Sequence, residues 1–359
     1  MSDLHPALQR TAAFCEAFGL RVPILMAPMA GACPASLAIA VANAGGLGGC
    51  GALLMQPEAI RSWAGDVRAG SNGAFQVNLW IPDPPPKRDA AAEDAVRAFL
   101  SEWGPDVPAS AADATPPDFA AQCDAILDIG PPIVSSIMGV YPPAFVARMK
   151  DQGIKWFANA TTVAEARAAV DAGADVIIAQ GAEAGGHRGA FQADQALSHA
   201  VGLFSLLPAV VDAVDVPVVA TGGIADPRGV AAAFLLGASA VQIGTGFLRC
   251  PEAKLPAAFA DAIGRSLPED TALTRAFSGR TGRAIATAYV QAANAQTAPD
   301  PAPYPVQRGL TQAMRDAAVK ANDIDRMQVW AGQSAAMAAV EPAGDVVQRL
   351  WDGAQSLLR

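Results

Sequence analysis

The 359-residue chain carries 52% hydrophobic and 16% charged residues and a formal net charge of −9, so it can bury a large core but offers no cationic surface to nucleic acid or anionic lipid. No uninterrupted apolar run reaches bilayer length, which argues against a membrane role; a small anion held by local donors is still compatible with this balance. Cys15, Cys33, Cys50, Cys123 and Cys250 never form a Cys-x-x-Cys arrangement, and His5, His187 and His199 lack His-x-x-x-His spacing, so a disulfide framework and a metal centre are both disfavoured. Residues 1–19 lack a basic start followed by an apolar core; no secretory signal is read there and a cytoplasmic location is expected.

Residues 22–29, an apolar run interrupted by Pro28 and followed by Gly31, read as a first buried strand with its exit loop. Residues 34–41 read as a helix: Pro34 and Ser36 suit its start, and Leu37, Ala40 and Val41 recur at helical spacing before Asn43 and Gly45 stop it. The glycine-rich 45–51 reads as a short strand approached closely by neighbouring backbone. A helix at 57–63 and a strand at 74–78 follow. Residues 82–118 break the rhythm, with Pro82, Pro84, Pro85 and Pro86 at one end and Pro116 and Pro117 at the other, around a helix-compatible piece at 90–103. This is an insertion, either a lid or a surface excursion.

The beat resumes with strands at 132–135, 155–158, 176–179, 216–220 and 240–243. Helices at 143–152, 162–172, 202–213 and 226–236 separate them. The 162 helix opens with a Thr162/Glu165 capping box and closes at Gly173; the 226 helix has Pro227 at its first position and Gly237 past its end. Eight strand beats in roughly 230 residues are the arithmetic of an α/β (β/α)8 TIM barrel. An open doubly wound sheet is the alternative, and no Gly-x-Gly-x-x-Gly with a downstream acid follows the first strand to support it. Residues 1–250 are then the barrel, insertion 82–118 included. From 251 to 359 the pattern is mainly helical, broken at Pro299, Pro301, Pro303 and Pro305, and is expected to pack over the barrel and contribute to its pocket.

The carboxyl ends of barrel strands share one face, which gathers Ala27 and Met29, Gln76 and Asn78, Gln180 to His187, Gly222 and Gly223, and Gly244 and Thr245 around one pocket. Loops after the seventh and eighth strands are the usual phosphate cradle of this architecture. Here Thr221-Gly-Gly-Ile leads into the 226 helix and Gln242-Ile-Gly-Thr-Gly246 closes the eighth strand, so phosphate binding is preferred over tight turning alone. After the sixth strand, Gln180-Gly-Ala-Glu-Ala-Gly-Gly-His-Arg-Gly189 combines glycines that admit close backbone approach with a carboxylate, a histidine and an arginine. His187 can serve as a base, as a protonated anion donor, or be satisfied by backbone alone. Arg188 reads as structural and Glu183 as an anchor of the loop.

Val22-Pro-Ile-Leu-Met-Ala-Pro-Met-Ala-Gly31, Gly45-Gly-Leu-Gly-Gly49, Phe75-Gln-Val-Asn78, the 180–189 stretch, Ala220-Thr-Gly-Gly-Ile-Ala-Asp226 and Leu236-Gly-Ala-Ser-Ala-Val-Gln-Ile-Gly-Thr-Gly-Phe-Leu248 together resemble the nitronate monooxygenase family, also called 2-nitropropane dioxygenases. Phe277-Ser-Gly-Arg-Thr-Gly-Arg283 and Trp330-Ala-Gly-Gln333 resemble segments of its nitronate-oxidising branch. The resemblance implies a barrel with non-covalent FMN, contacted by Ala27, Met29, Gln76, Asn78, Gln180, Gly185, Gly186, Gly222, Gly223, Gln242, Gly244 and Thr245, with His187 as the catalytic group over the flavin. Asn and Gln suit a flavin's polar edge because they donate and accept without adding charge. The implied reaction is oxidative denitrification of alkyl nitronates, such as propionate 3-nitronate, with O2 to a carbonyl compound and nitrite, a detoxifying step that needs no nucleic-acid or membrane partner.

The chain departs from that branch at Val134-Ser-Ser-Ile-Met-Gly139, where relatives often carry an aromatic residue and a histidine in place of Ser136 and Ile137. Only Tyr141, Tyr289 and Tyr304 are present to line a pocket. Two other readings stay open on these residues: an FMN-dependent NAD(P)H oxidoreductase of the enoyl-acyl-carrier or quinone reductase kind, and a phosphate-binding lyase or isomerase barrel without flavin. Against the latter, no lysine lies in the strand-end loops for Schiff-base chemistry.

Overall fold

The computed structural model describes residues 5–359. Helix α1 (Pro6–Phe18) comes first and has no counterpart in the sequence reading; its Phe14 and Phe18 pack on Phe157 at 6.1 and 4.9 Å, among residues from the amino ends of the strands. Then follow β1 (Ile24–Met26), α2 (Ala35–Asn43), β2 (Gly48–Gly51), α3 (Pro57–Gly70), β3 (Phe75–Trp80), α4 (Ala90–Leu100), α5 (Phe119–Ile129), β4 (Ile133–Ile137), α6 (Pro143–Asp151), β5 (Lys155–Ala160), α7 (Val163–Asp171) and β6 (Val176–Gln180). A two-residue β7 (Gly186–His187) precedes α8 (Leu203–Val211), β8 (Val218–Thr221), α9 (Pro227–Leu235) and β9 (Ala240–Ile243).

Eight strands pair in parallel in the order β1, β9, β8, β6, β5, β4, β3, β2, and a parallel bridge from Leu25 to Leu47 joins the two ends of the sheet. This is a nearly closed (β/α)8 barrel, as the sequence periodicity requires. The strands are short and apolar because both faces are covered: β6, β8 and β9 are buried throughout. The helices bury one stripe each; in α3, Ile60, Trp63, Ala64 and Val67 recur at helical spacing and face the barrel core.

The cap of α7 is displaced by one residue from the expected box. Thr162 Oγ1 accepts from Glu165 N at 3.1 Å, but Glu165 Oε2 reaches back to Thr161 N at 2.7 Å. The other oxygen of Glu165 accepts from Phe191 N at 2.7 Å, so the same carboxylate ties down the chain just beyond the 180–189 loop.

Between β3 and β4 the chain adds the proline-rich insertion with α4, and only then α5, the helix that resumes the layer around the barrel. The sequence reading passes over α5. Past β9 come α10 (Ala257–Arg265), β10 (Thr271–Thr274), β11 (Gly282–Ile285), α11 (Ala288–Ala293), α12 (Val306–Leu310), α13 (Gln312–Ala321) and α14 (Ala343–Leu357). Within this mainly helical stretch, β10 and β11 form an antiparallel sheet whose third strand is β7, with Gly282 opposite His187 and Arg283 opposite Gly186. Helix α14 returns to the barrel wall and packs between α9 and α2, burying Val346, Val347 and Leu350 in the main core.

Candidate active site

At the carboxyl ends of the strands lies a cavity of about 480 Å³, within the range that holds a cofactor and a small substrate. Ala27, Met29, Asn78, Gln180, Gly185, Gly186, His187, Gly222, Gly223, Gln242, Gly244 and Thr245 all line it, so residues 218 positions apart in sequence meet on one surface. Gln76 does not. It shares the barrel-facing side of β3 with Asn78 but sits one layer deeper, where its Nε2 donates to Met26 O and to Gln242 Oε1, both at 3.1 Å. Its place is beneath the cavity, orienting Gln242.

The backbone around Gly222 and Gly223 explains why glycine is needed there. Their φ values are 113° and 69°, in the region that side-chain-bearing residues rarely adopt, and a Cβ on Gly223 would meet Glu183 Cβ at 3.1 Å. Among the described residues, the N–H groups of Gly222, Gly223 and Gly244 have no backbone or side-chain acceptor, which leaves three donors on adjacent loops for an external anion.

The 180–189 loop is held from within and from outside. Gln180 Nε2 donates to His187 O at 3.0 Å and its Oε1 accepts from Gly189 N at 2.7 Å, so this amide shapes the loop as well as facing the cavity. Arg188 is structural, as its sequence context suggests: it is buried and donates to the carbonyl of Gln180 at 2.8 Å. Glu183 anchors the loop by accepting the Leu203 N–H at 2.9 Å with both oxygens, which places a carboxylate on the amino terminus of α8. Glu183→Ala is expected to lower stability by about 1 kcal/mol and the melting temperature by about 2 °C; a thermal melt identical to the native protein's would remove this role. From outside, the 330–333 strap closes over the loop: Gln333 N donates to Glu183 O at 3.0 Å and Gly332 N to Thr245 Oγ1 at 3.0 Å.

His187 sits in an aromatic corner. Its ring lies 4.8 Å from Trp80, edge to face, and 4.9 Å from Trp330, and Trp80 stacks on Tyr304 at 4.7 Å. Its Nε2 is 2.7 Å from Ser278 Oγ. When that hydroxyl donates to the Arg280 carbonyl, at 3.3 Å, Nε2 carries the ring proton and Nδ1 keeps its lone pair. Part of the ring stays open to the cavity, yet the surrounding protein is dense. Burial, followed by the positive charges of Arg308 and Arg280, pushes its pKa down to about 3. Burial thus favours the neutral imidazole in the free pocket.

Two arginines complete the corner, and neither was singled out from the sequence as a site residue. Arg280 is buried over the Trp80 ring at 5.7 Å and pairs with Asp83 at 2.9 Å, which fastens the start of the insertion to the β10–β11 connection. Arg308, on α12, lines the cavity with no hydrogen bond or ion pair to its guanidinium among the described residues. Ser136 and Ile137, the positions at which the chain is expected to depart from the nitronate-oxidising branch, both line the cavity. Ser136 Oγ is taken by Trp156 Nε1 at 3.0 Å, and Ile137 packs with Trp80, Met138 and Tyr304. Trp80, Ile137 and Trp330 thus give the cavity apolar surface near His187. Of the three tyrosines, Tyr141 and Tyr289 spend their hydroxyls on the carbonyls of Ser135 and Ala276, outside the cavity.

The family model for nitronate monooxygenase matches residues 13–353. The chain belongs to the nitronate monooxygenase family. It is 36% identical over 338 residues to a nitronate monooxygenase of Paraburkholderia phytofirmans, covering 92% of each chain. A probable nitronate monooxygenase of Staphylococcus aureus strain MSSA476 is 34% identical over 342 residues, 93% of this chain and 95% of the relative. Among solved structures, nitroalkane oxidase from Streptomyces ansochromogenes superposes with a TM-score of 0.86 at 35% identity, over 96% of this chain and 100% of that one. FabK from Thermotoga maritima shares the barrel at a TM-score of 0.74 and 26% identity, over 96% of each. As a nitronate monooxygenase family member the chain is an oxidoreductase of a flavin-dependent family. No helix among the described residues is long and apolar enough to cross a membrane.

Proposed function

We propose that this chain oxidises alkyl nitronates with O2 to carbonyl compounds and nitrite, using non-covalent FMN, and that propionate 3-nitronate is among the compounds it accepts. The observation that carries this reading is the single cavity in which anion-ready glycine loops, a neutral histidine and an unpaired arginine converge. FMN is supported by the donor set: the N–H groups of Gly222, Gly223 and Gly244 suit its phosphate, and the amides of Asn78, Gln180 and Gln242 suit the polar edge of its ring. When bound, FMN supplies the electron acceptor for the nitronate and the electron donor to O2.

The protein's own groups do the rest. Trp80, Ile137 and Trp330 give the substrate a largely apolar, water-poor wall. Arg308 balances the negative charge of a bound nitronate. His187, neutral with Nε2 engaged by Ser278, can take a proton at Nδ1 from a nitroalkane that arrives protonated. A base held at so low a pKa takes that proton only when the resulting anion is stabilised beside it, which is the part assigned to Arg308. Ionised nitronates are therefore expected to be better substrates than their neutral nitroalkanes.

The test begins with the absorbance of the purified protein and with FMN released from it by heat. Nitrite is then measured under air with propionate 3-nitronate. Yellow protein, one FMN per chain and nitrite formation are expected. A colourless protein that takes up no FMN would defeat the reading, and rapid anaerobic bleaching by NADH with no response to the nitronate would favour a reductase in its place.

A further inference from the structure

A second cavity, of about 720 Å³, lies between the proline-rich stretch 107–117 of the insertion and helices α12 and α13. The two cavities share Leu54, Arg308 and Asp316, so they adjoin, with these three side chains at the neck. Much of the outer cavity is apolar, lined by Val107, Pro108, Ala111, Pro117, Pro305 and Ala313. An apolar group that enters it leaves water, which is favourable.

The charges at the neck are unequal in their partners. Asp316 accepts from Gln312 Nε2 at 2.7 Å. Arg315, which also borders the inner cavity, donates to Gln328 Oε1, Gln312 Oε1, Thr311 Oγ1 and Arg308 O. Arg308 has no comparable partner. Its guanidinium is partly withdrawn from water, and burial pulls its pKa down against the weaker pull of Tyr304 and Asp316. A cation in such a place, open to two cavities, is complementary to an anion that arrives from outside.

We propose that the two cavities form one extended substrate site: an anionic head group lies in the inner cavity against Arg308, and an unbranched alkyl chain attached to it passes Leu54 into the outer cavity. The preferred substrates are then linear alkyl nitronates longer than three carbons. The nitronate identity of the head group rests on the function proposed above; the site for an anion with an apolar tail does not.

Binding separates the two. Saturated carboxylates match a nitronate in charge and in carrying two terminal oxygens but cannot be denitrified, so butanoate, hexanoate and octanoate are titrated calorimetrically into the FMN-loaded protein. Affinity is expected to rise about three- to fourfold per methylene if each is fully buried, and nitrite-release kcat/KM for the nitronates of 1-nitrobutane, 1-nitrohexane and 1-nitrooctane to rise in parallel. Ala313→Phe, which fills the outer cavity, and Thr115→Trp, which fills it from an exposed position that folding tolerates, are expected to flatten this dependence. Arg308→Gln is expected to weaken all three acids by about tenfold or more. Equal affinity for the three acids in the native protein, or an unaltered chain-length slope in both filling variants, would overturn the extended site. Chain-length-dependent binding without nitrite release would leave it standing and defeat the nitronate reaction alone.

Discussion

His187→Asn is expected to lower turnover of a neutral nitroalkane by about 10²-fold, while the preformed nitronate of the same compound loses less than about tenfold. The inequality follows from the state of the ring: neutral His187 can accept a proton but carries no charge to offer an anion. Nitrite release measured in parallel on nitroethane and on ethyl nitronate checks it. Equal losses on both would assign His187 to anion binding, and no loss on either would remove it from the mechanism. A pH effect accompanies this. With its pKa lowered to about 3 from 6.5, His187 stays neutral across pH 5–8, so activity on a nitroalkane should show no inflection there from this group. In the unfolded chain the same imidazole protonates near 6.5. The unfolded state then takes up a proton the folded state refuses, and stability falls as pH drops from about 6.5 toward 3. Urea midpoints at pH 7 and pH 4 should therefore lie closer together in the His187→Asn variant than in the native protein.

The second large effect belongs to Gly185. A Cβ there would stand 2.5 Å from both Ala331 C and Gly332 N, backbone atoms of the strap over the loop, and neither can swing aside as a side-chain tip can. Gly185→Ala is expected to cost about 2–3 kcal/mol and to displace His187, its neighbour but one, with loss of most turnover. Gly186→Ala is the control. Its Cβ would meet nothing within 4 Å, but its φ is 77°, so only the left-handed backbone is penalised, at about 1–2 kcal/mol. Denaturant midpoints and nitrite assays on the two variants should rank Gly185→Ala as the more damaging. The opposite ranking would mean that the strap does not press on the loop as its contacts indicate.

Much of this was legible along the chain. Short β-branched runs alternating with helical spacing give the barrel because both patterns are local. The 180–189 loop and the Gly222–Gly223 and Gly244–Thr245 turns are likewise recognisable from residues that sit side by side. Trp80 escaped because strand β3 runs two residues beyond its apparent end at Asn78. Ser278, Arg280, Arg308 and Trp330 escaped as site residues because their relation to His187 is made by tertiary contact across about 90 to 140 positions, which no local period records. Strands β10 and β11 are four residues each, too short to announce themselves within a helical stretch, and they gain a third partner only when β7 folds against them. Gln76 is the reverse case: alternation puts it on the same face as Asn78 but says nothing of depth.

Helix α14 carries a consequence for the order of assembly. Because α14 fills the wall between α9 and α2, the ring of helices around the barrel is completed only by residues 343–357, although the last of the eight strands ends about a hundred residues earlier. A nascent chain arrested before 343 would present bare apolar grooves on α2 and α9. Such a truncated product would be a client for chaperones and proteases, where a true appendage could be trimmed without exposing the core.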